Sequence, residues 1–172
     1  MDTQTHGVLV EVLGTGILLL GPSGIGKSEC ALELVTRGHR LVADDVVRLR
    51  REGARLVGCA PERIRHYTEI RGIGLLFVPE LYGPDSVRDE GPVDVVVRLE
   101  RWRDGAEYER IGLERPAEVL CGVGVPSLLI PVRPATSMAT LLEVVARDHR
   151  ARRCGEPAVS RLARVTEEAG GA

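Results

Sequence analysis

The sequence predicts an α/β domain of the P-loop-containing class, with a mixed central sheet flanked by helices. Short runs of aliphatic and β-branched residues, which indicate buried strands, are interleaved along the 172 residues with two or three amphipathic helical patterns. Several of these runs are joined by only a few turn-forming residues, which indicates hairpins and hence antiparallel strand pairs. A phosphate-loop motif stands between a predicted strand and a predicted helix, the context in which such a motif is meaningful.

The first third of the chain predicts two strands followed by a helix. The runs "GVLVEVLG" and "GILLLG", joined through "GTG", are interpreted as a hairpin or as adjacent strands. From Ser28 onward the spacing predicts a helix with one apolar face, and Gly38 stands where a C-cap glycine belongs. That face consists of Cys30, Ala31, Leu34 and Val35.

The rest of the chain predicts further strands and one clear helix. The segment "HRLVADDVVRLR" is expected to be a strand that pairs with "RLVGCA", while residues 61 to 74 are polar and turn-rich. The runs "DVVVRLERW" and "VPSLLIPV" predict strands, and "SMATLLEVVARDHR" predicts an amphipathic helix. A last helix around "AVSRLARVTEE" and a frayed tail are expected within 151–172, so that 1–172 form a single domain.

Composition favours a globular protein without a nucleic-acid or membrane partner. The hydrophobic fraction is 44% and the charged fraction 28%, as in ordinary folded domains. A net charge of −2 gives no pull toward nucleic acid, and no apolar run approaches the ~20 residues of a membrane span. The four cysteines are widely spaced and match no zinc pattern, so free thiols and a cytoplasmic location are expected.

The strongest chemical signal is the phosphate-binding loop "GPSGIGKS", which spans Gly21, Pro22, Ser23, Gly24, Ile25, Gly26, Lys27 and Ser28. Its glycines let backbone N–H groups turn toward phosphate oxygens, and the following helix directs its positive N-terminus at them. Lys27 is the only lysine of the chain, and its flexible ammonium can reach a single phosphate oxygen. The Ser28 hydroxyl can bind Mg²⁺. Nucleotide or phosphate binding is therefore predicted.

Two acidic residues end the apolar run "LVADD". They resemble a Walker-B arrangement, in which a carboxylate lies near Mg²⁺ or its waters, and the alternative is a polar turn after a strand. Because adjacent residues of an extended chain face opposite ways, we expect only one of Asp44 and Asp45 to meet the reacting atoms. Composition and spacing alone do not single out His6, Glu69, Arg71 or Arg110.

Together these segments resemble the catalytic domain of HPr kinase/phosphorylase, a bacterial enzyme family that phosphorylates a serine of the phosphocarrier protein HPr. The resemblance runs through "HGVLVEVLGTGILLLGPSGIGKSECALELVTRGHRLVADDVV", "EIRGIG", "VRDEGPVDVVVRLE", "YERIGL" and "VPSLLIPVRP", in order and with matching spacing. It implies the fold shared by HPr kinases and PEP carboxykinases. It also implies a hexamer, and the N-terminal domain that the family commonly carries is expected to be absent here.

The resemblance implies a role for each candidate residue. Residues 21 to 28 would hold the phosphates of ATP, and Ser28 and Glu69 would coordinate Mg²⁺. Asp45 would accept the proton of the substrate serine, with His6, Lys27 and Arg110 completing the active site. Residues 68 to 77 would form a loop that serves both reactions, and 131 to 136 would be needed for dephosphorylation. The partner would be HPr or a paralogous phosphocarrier.

Two departures from the family pattern affect these expectations. Where the family typically reads "PVRPGRN", residues 131 to 137 read "PVRPATS", so Ala135 and Thr136 replace a glycine and an arginine. This puts phosphorylase activity in question without touching the kinase reaction. Pro22 replaces an aspartate at a position that contributes its backbone. The alternatives are a kinase of the same fold with another substrate, and a nucleotide-sensing regulator that transfers nothing; Asp45 argues against the regulator.

Overall fold

A six-stranded mixed sheet forms the centre of the computed structural model, which describes residues 2–110, 112, 115–155, 158 and 160. The first elements are β1 (Thr3–His6), β2 (Val8–Val12), β3 (Thr15–Leu20), α1 (Lys27–Thr36), β4 (Arg40–Ala43), β5 (Val46–Glu52) and β6 (Arg55–Cys59). They are followed by β7 (Tyr67–Ile70), β8 (Gly74–Phe77), α2 (Val78–Tyr82), β9 (Glu90–Pro92), β10 (Val95–Arg101), β11 (Ala117–Leu120), β12 (Val123–Val132) and α3 (Met138–Cys154).

The strand order of the large sheet is β11-β12-β10-β3-β2-β4. β3, β10 and β12 are parallel neighbours, whereas β2 is antiparallel to both β3 and β4. The predicted mixed sheet and the predicted hairpin of β2 and β3 are therefore confirmed. The hairpin turn consists of Leu13 and Gly14, whose φ angles are 52° and 77°. Both are positive because a two-residue turn that follows the twist of the strands needs two positive φ angles.

Both faces of the large sheet are buried, which explains the nearly continuous apolar runs of its strands. On one face, alternate residues such as Val10, Leu19 and Val97 pack against α1 and α3. On the other face, Leu9, Leu18 and Val96 belong to a second apolar cluster with residues of the smaller sheet. The domain thus has three layers: helices, a six-stranded sheet and a four-stranded sheet.

The four-stranded sheet has the order β1-β5-β6-β9 and is antiparallel throughout. The predicted pairing of β5 with β6 is confirmed, while β1 was not expected from the sequence. The prediction of one continuous strand over 39–50 is wrong. The chain leaves the large sheet after β4, turns at Asp44 and Asp45, and enters the small sheet as β5. The helices therefore flank the large sheet on one face, and strands cover the other.

The segment predicted as polar and turn-rich contains a β-hairpin. β7 and β8 pair antiparallel, with Glu69 opposite Leu75. The predicted helix faces are confirmed for α1, whose buried residues are Cys30, Ala31, Leu34 and Val35. Helix α3 begins after Ser137, whose side chain accepts a hydrogen bond from the Thr140 backbone N–H.

The C-terminal part of the chain is only partly covered by the structure. The helix expected over 158–168 lies almost wholly outside the described residues. Within the part that is described, no helix combines the length and apolar character needed to cross a membrane.

Candidate active site

A cleft of about 430 Å³ opens where β3 and β4 end. Both strands run in the same direction, and the carboxyl ends of such strands are where α/β domains bind ligands. The cleft is lined by His6, Gly7, Val8, Gly21, Ser23, Gly24, Gly26, Lys27, Ser28, Glu29, Asp44, Asp45, Glu69 and Arg71. Of the predicted catalytic and metal-binding residues, His6, Lys27, Ser28, Asp45 and Glu69 therefore meet in one place.

The phosphate loop joins β3 directly to α1. Gly26 has φ of 99° and is the N-cap of the helix, so a residue with a side chain would be strained there. The Lys27 ammonium donates to the carbonyl oxygens of Gly21 (2.8 Å) and Pro22 (3.0 Å), which holds it across the loop. The loop thus presents a cation and a helix N-terminus to the same cleft, as phosphate binding requires.

Asp44 lies beneath the phosphate loop and is 4% exposed. Its Oδ1 accepts hydrogen bonds from the Ser28 hydroxyl (2.8 Å) and from the Asp45 backbone N–H (3.0 Å). Its Oδ2 accepts one from the Thr68 hydroxyl at 2.5 Å. The carboxylate is thereby fixed beside the serine that follows Lys27, which is the relation between a P-loop serine and a Walker-B aspartate.

Burial raises the pKa of Asp44. Hydrogen bonds from Thr68 and Ser28 and from the backbone of Asp45 and Glu69 act in the opposite direction, but they do not cancel the cost of desolvation. A divalent cation bound beside Ser28 would offset this desolvation, because a nearby positive charge favours the ionised carboxylate.

Asp45 occupies a strained turn at the mouth of the cleft. Its φ is 67°, and the Val46 N–H donates to the Asp44 carbonyl at 2.8 Å, which together define the rare γ-turn with positive φ. This turn replaces the extended chain that predicted opposite directions for the two acids. Both carboxylates therefore line the same cleft, one buried and one exposed. The expectation that only one of them meets the reacting atoms stays a prediction.

His6 lies beside Asp45 because the connection from β1 in the small sheet to β2 in the large sheet runs next to the Asp44–Asp45 turn. β1 ends at His6, and the next residue, Gly7, donates its N–H to the Asp45 carbonyl at 3.0 Å. The His6 Nδ1 lies 3.7 Å from the Asp45 Oδ1. A Cβ on Gly7 would lie 2.6 Å from the Leu19 carbonyl oxygen, so the close approach of this connection to β3 depends on glycine.

The β7–β8 hairpin forms the remaining wall of the cleft. Glu69 lies on β7, and its backbone N–H contributes to the hydrogen bonds that Asp44 accepts. Arg71 follows β7, and its guanidinium lies against the phosphate loop, 3.5 Å from the Ser23 hydroxyl. Its Nη1 would be 3.1 Å from a Cβ on Gly24. Thr68 and Arg71 fall within the segment 68 to 77 that the resemblance ties to both reactions, but their contacts were not predicted, because they depend on the β7–β8 hairpin.

The residues present fit a nucleotide phosphate chain and Mg²⁺. Glycine backbone and Lys27 suit phosphate oxygens, and the paired Ser28 hydroxyl and Asp44 carboxylate, with Glu69 on the cleft wall, suit a hard cation. Among the described residues, no group of three or more His, Cys, Asp and Glu side chains could hold a metal by itself. Mg²⁺ takes one or two carboxylates together with substrate phosphates and waters, so this donor set suits it.

Arg110 is not brought to this cleft. It lines a second cavity of about 800 Å³, together with Trp102, Pro131, Arg133 and Thr136. The residue expected to complete the active site and the segment expected to serve dephosphorylation thus share a cavity with each other. The catalytic role of Arg110 stays a prediction, and Arg71 is the guanidinium that lines the first cleft.

The family model and the most similar relatives found for this chain point to the same family. The family model described as HPr Serine kinase C-terminal domain matches residues 1–165. A protein of Caldanaerobacter subterraneus subsp. tengcongensis named HPr kinase/phosphorylase is 54% identical over 158 residues, covering 91% of this chain and 52% of the relative. One of the same name from Bacillus subtilis is 46% identical over 171 residues, covering 96% of this chain and 55% of the relative. The chain spans about half the length of the curated relatives it matches.

A solved structure agrees with the architecture. The Hpr(Ser) kinase/phosphatase of Coxiella burnetii superposes with a TM-score of 0.81 at 32% sequence identity, covering 89% of this chain and 99% of the other. The α/β P-loop fold expected from the sequence is therefore confirmed by a homologous structure as well as by the strand order.

Proposed function

The chain belongs to the HPr serine kinase C-terminal domain family, and from that premise we propose that it is an ATP- and Mg²⁺-dependent protein kinase. Its substrate is a serine of HPr or of a paralogous phosphocarrier. The observation that carries the proposal is the exposed Asp45 carboxylate beside the phosphate-loop cleft, with His6 next to it. A nucleotide-sensing regulator would have no use for a second carboxylate in that position.

Asp45 is the proton acceptor of the proposed reaction. The serine oxygen forms a bond to the γ-phosphorus of ATP as the bond to the β–γ bridging oxygen breaks, and the hydroxyl proton passes to the Asp45 carboxylate. A serine hydroxyl is a weak nucleophile, and a positioned general base contributes about 10²- to 10⁴-fold to such a transfer. The turn at Asp45 fixes its carboxylate at the cleft mouth.

The remaining cleft residues hold and neutralise the donor. Lys27 and the loop backbone bind the phosphates, and Arg71 lies where its guanidinium can spread charge over them. Ser28, Asp44 and Glu69 would hold Mg²⁺, which supplies positive charge to the phosphate oxygens. Asp44 and Asp45 thus divide two roles between them: the buried acid serves the metal side and the exposed acid serves the serine.

The exposure of the acceptor side favours a protein substrate. The side chains of His6 and Asp45 are 85% and 80% exposed, so a serine on the surface of another protein can reach them. A small hydroxylated substrate would need an enclosing pocket at this point. Ala135 and Thr136 leave phosphorolysis outside the proposed activity. We extend the proposal to a hexameric enzyme in the cytoplasm, where the four free cysteines are compatible with a reducing environment.

The proposal is tested by incubating the protein with labelled ATP, Mg²⁺ and HPr. Label should appear on an HPr serine, and Asp45→Asn should lower the transfer rate by about 10²-fold or more while nucleotide affinity is kept. Asparagine tolerates positive φ, so this variant keeps the turn. Asp2→Asn, at an exposed acid outside the cleft, is the matched control.

The outcomes are distinct. Unchanged transfer by Asp45→Asn removes this residue from the role of base. Nucleotide binding without label on HPr, in the unchanged protein, points to another substrate. When excess phosphate is then added, label leaving HPr together with pyrophosphate formation would show that Ala135 and Thr136 permit the reverse reaction.

A further inference from the structure

The second cavity contains a flat cationic platform. The Arg133 guanidinium lies over the ring of Trp102, 3.5 Å from the ring centroid. Arg133 is an exposed residue, so its guanidinium is accessible while it lies on the tryptophan ring. A guanidinium stacked in this way is planar, delocalised and weakly hydrated, which makes it a surface on which another flat π system can stack.

The platform is held in place by its own neighbours. The Trp102 indole N–H donates to the Asp104 carboxylate at 2.9 Å, and its backbone N–H donates to the Val132 carbonyl at 3.2 Å. The Tyr108 ring lies 4.9 Å from the Trp102 ring, centroid to centroid. Because both the ring and the strand end that carries Arg133 are fixed before any ligand arrives, little ordering is needed for stacking.

The platform and the phosphate loop lie at the same edge of the sheet. β3, β10 and β12 are parallel neighbours, and the phosphate loop, Trp102 and Arg133 each follow directly from one of their carboxyl ends. The two regions also touch, since a Cβ on Gly21 would lie 2.6 Å from the Leu99 carbonyl oxygen. Trp102 is three residues beyond Leu99, which at the rise of a strand is on the order of 10 Å.

We propose that the second cavity is the subsite for the nucleobase of the nucleoside triphosphate whose phosphates the first cleft binds. The inference rests on the proposed function, because it assigns the other end of the same substrate. In this proposal the base stacks on the face of the Arg133 guanidinium that is opposite Trp102. Trp102 acts through Arg133, because its ring keeps the guanidinium in a stacked orientation. Arg133 is a binding residue and Trp102 a positioning residue.

Charge and shape distinguish this reading from a second phosphate site. A phosphate is bound by guanidinium edges, whereas the Arg133 guanidinium, stacked on Trp102, presents a face; Arg110 also lines the cavity. The lining of this cavity of about 800 Å³ combines the apolar Leu129, Ile130, Pro131 and Leu141 with charged side chains, among them Glu107 and Arg110. Flat ligands with a π face match this lining, as pockets for organic ligands generally do.

The test compares ATP with inorganic triphosphate, each with Mg²⁺, by titration calorimetry on the full chain. The unchanged protein should bind ATP more tightly than triphosphate. Arg133→Ala should weaken ATP binding by about 10-fold, the scale of losing one stacked base, and leave triphosphate binding unchanged. Arg147→Ala, at an exposed arginine of α3, is the matched control. An equal effect of Arg133→Ala on both ligands, or on neither, overturns the inference.

A measurement on the unchanged protein guards against a misfolded variant. Trp102 is the only tryptophan of the chain, so its emission reports on this cavity alone. ATP should change the emission and triphosphate should not. If both change it equally, or if HPr changes it and ATP does not, the base subsite is wrong and the cavity serves another purpose. If the protein binds neither ATP nor triphosphate, it is the proposed function that fails.

Discussion

The His6 Nδ1 and the Asp45 Oδ1 lie 3.7 Å apart. The chain passes between the two sheets once at His6–Gly7 and once at Asp44–Asp45, and these two connections run side by side. His6 ends β1 opposite Val46 of β5, and the Gly7 N–H is bonded to the Asp45 carbonyl. The two side chains are therefore positioned by strand register and by one interstrand hydrogen bond, and neither depends on a long loop.

Gly7→Ala is expected to damage both stability and activity. The added Cβ would lie 2.6 Å from the Leu19 carbonyl oxygen and 2.8 Å from the Leu20 Cδ2, so the connection between β1 and β2 must shift. Overpacking of this kind costs about 1–3 kcal/mol of the free energy of unfolding, and the shift should separate His6 from Asp45. Urea denaturation and the phosphotransfer rate measure the two effects.

Gly124→Ala is the control for this variant. The nearest atom to a Cβ there is the Ala117 Cβ at 3.8 Å, and its φ lies outside the left-handed region. This substitution should leave the free energy of unfolding within about 0.5 kcal/mol of the original, as for ordinary surface changes. Equal behaviour of the two alanine variants would contradict the steric argument.

Asp44→Asn should make the free energy of unfolding of the unliganded protein less dependent on pH and should impair the proposed catalysis. The folded state binds the Asp44 proton more tightly than the unfolded chain does, because burial raises the pKa above 3.8. Ionisation of Asp44 therefore lowers the free energy of unfolding as the pH rises from its pKa in the unfolded chain through its pKa in the folded protein. The difference in unfolding free energy between the two proteins should widen in favour of asparagine over that interval.

Thermal or urea denaturation across the acidic to neutral range, without nucleotide, measures the pH trend. The same variant should lose about 10- to 100-fold in Mg²⁺-dependent activity, the scale found when a group that orients a metal site is removed. A variant that is less stable than the original protein at pH 7 and equally active would contradict the assignment of Asp44 to the metal side.

Ala135→Gly is expected to stabilise the protein. Ala135 has φ of 63°, a left-handed conformation that costs a residue with a Cβ about 1–2 kcal/mol and costs glycine nothing. Part of this gain is offset because glycine loses more backbone freedom on folding, so a net gain of up to about 1 kcal/mol is expected. The melting temperature measures it.

Ala151→Gly, in the exposed part of α3, is the control with the opposite sign. Ala151 lies in a regular helix, where the same substitution costs about 1 kcal/mol. If both substitutions destabilise the protein, the conformation at Ala135 is not strained. The left-handed angle also gives a physical reason for the glycine that the family resemblance implies at this position.

Local patterns in the sequence predicted the parts of the fold that depend on neighbouring residues. The apolar face of α1, the β2–β3 hairpin and the phosphate loop with Lys27 and Ser28 were all recognisable, because each is specified within a short window. The strand over 39–50 was predicted as continuous because nothing in "ADDV" reveals a positive φ at Asp45. Its sheet change follows from pairing with β1, a strand distant in the sequence.

Contacts between distant segments could not be predicted in the same way. Thr68 and Arg71 reach the cleft only through the β7–β8 hairpin, and their residue types carry no signal of it. The separation of Arg110 from the first cleft likewise depends on where β10 and β12 end. For these residues the resemblance to a family supplied roles, and the fold decided which of them meet.

The three-layer architecture places the two sides of the proposed active site on different sheets. The phosphate loop and Asp44 extend from the large sheet, whereas His6 and Asp45 adjoin the small one. Between the sheets lies an apolar layer that includes Leu18, Val47 and Leu56. If the proposed kinase reaction holds, substitutions that change the volume of this layer are expected to alter the distance between the phosphate loop and the His6–Asp45 pair without touching either substrate.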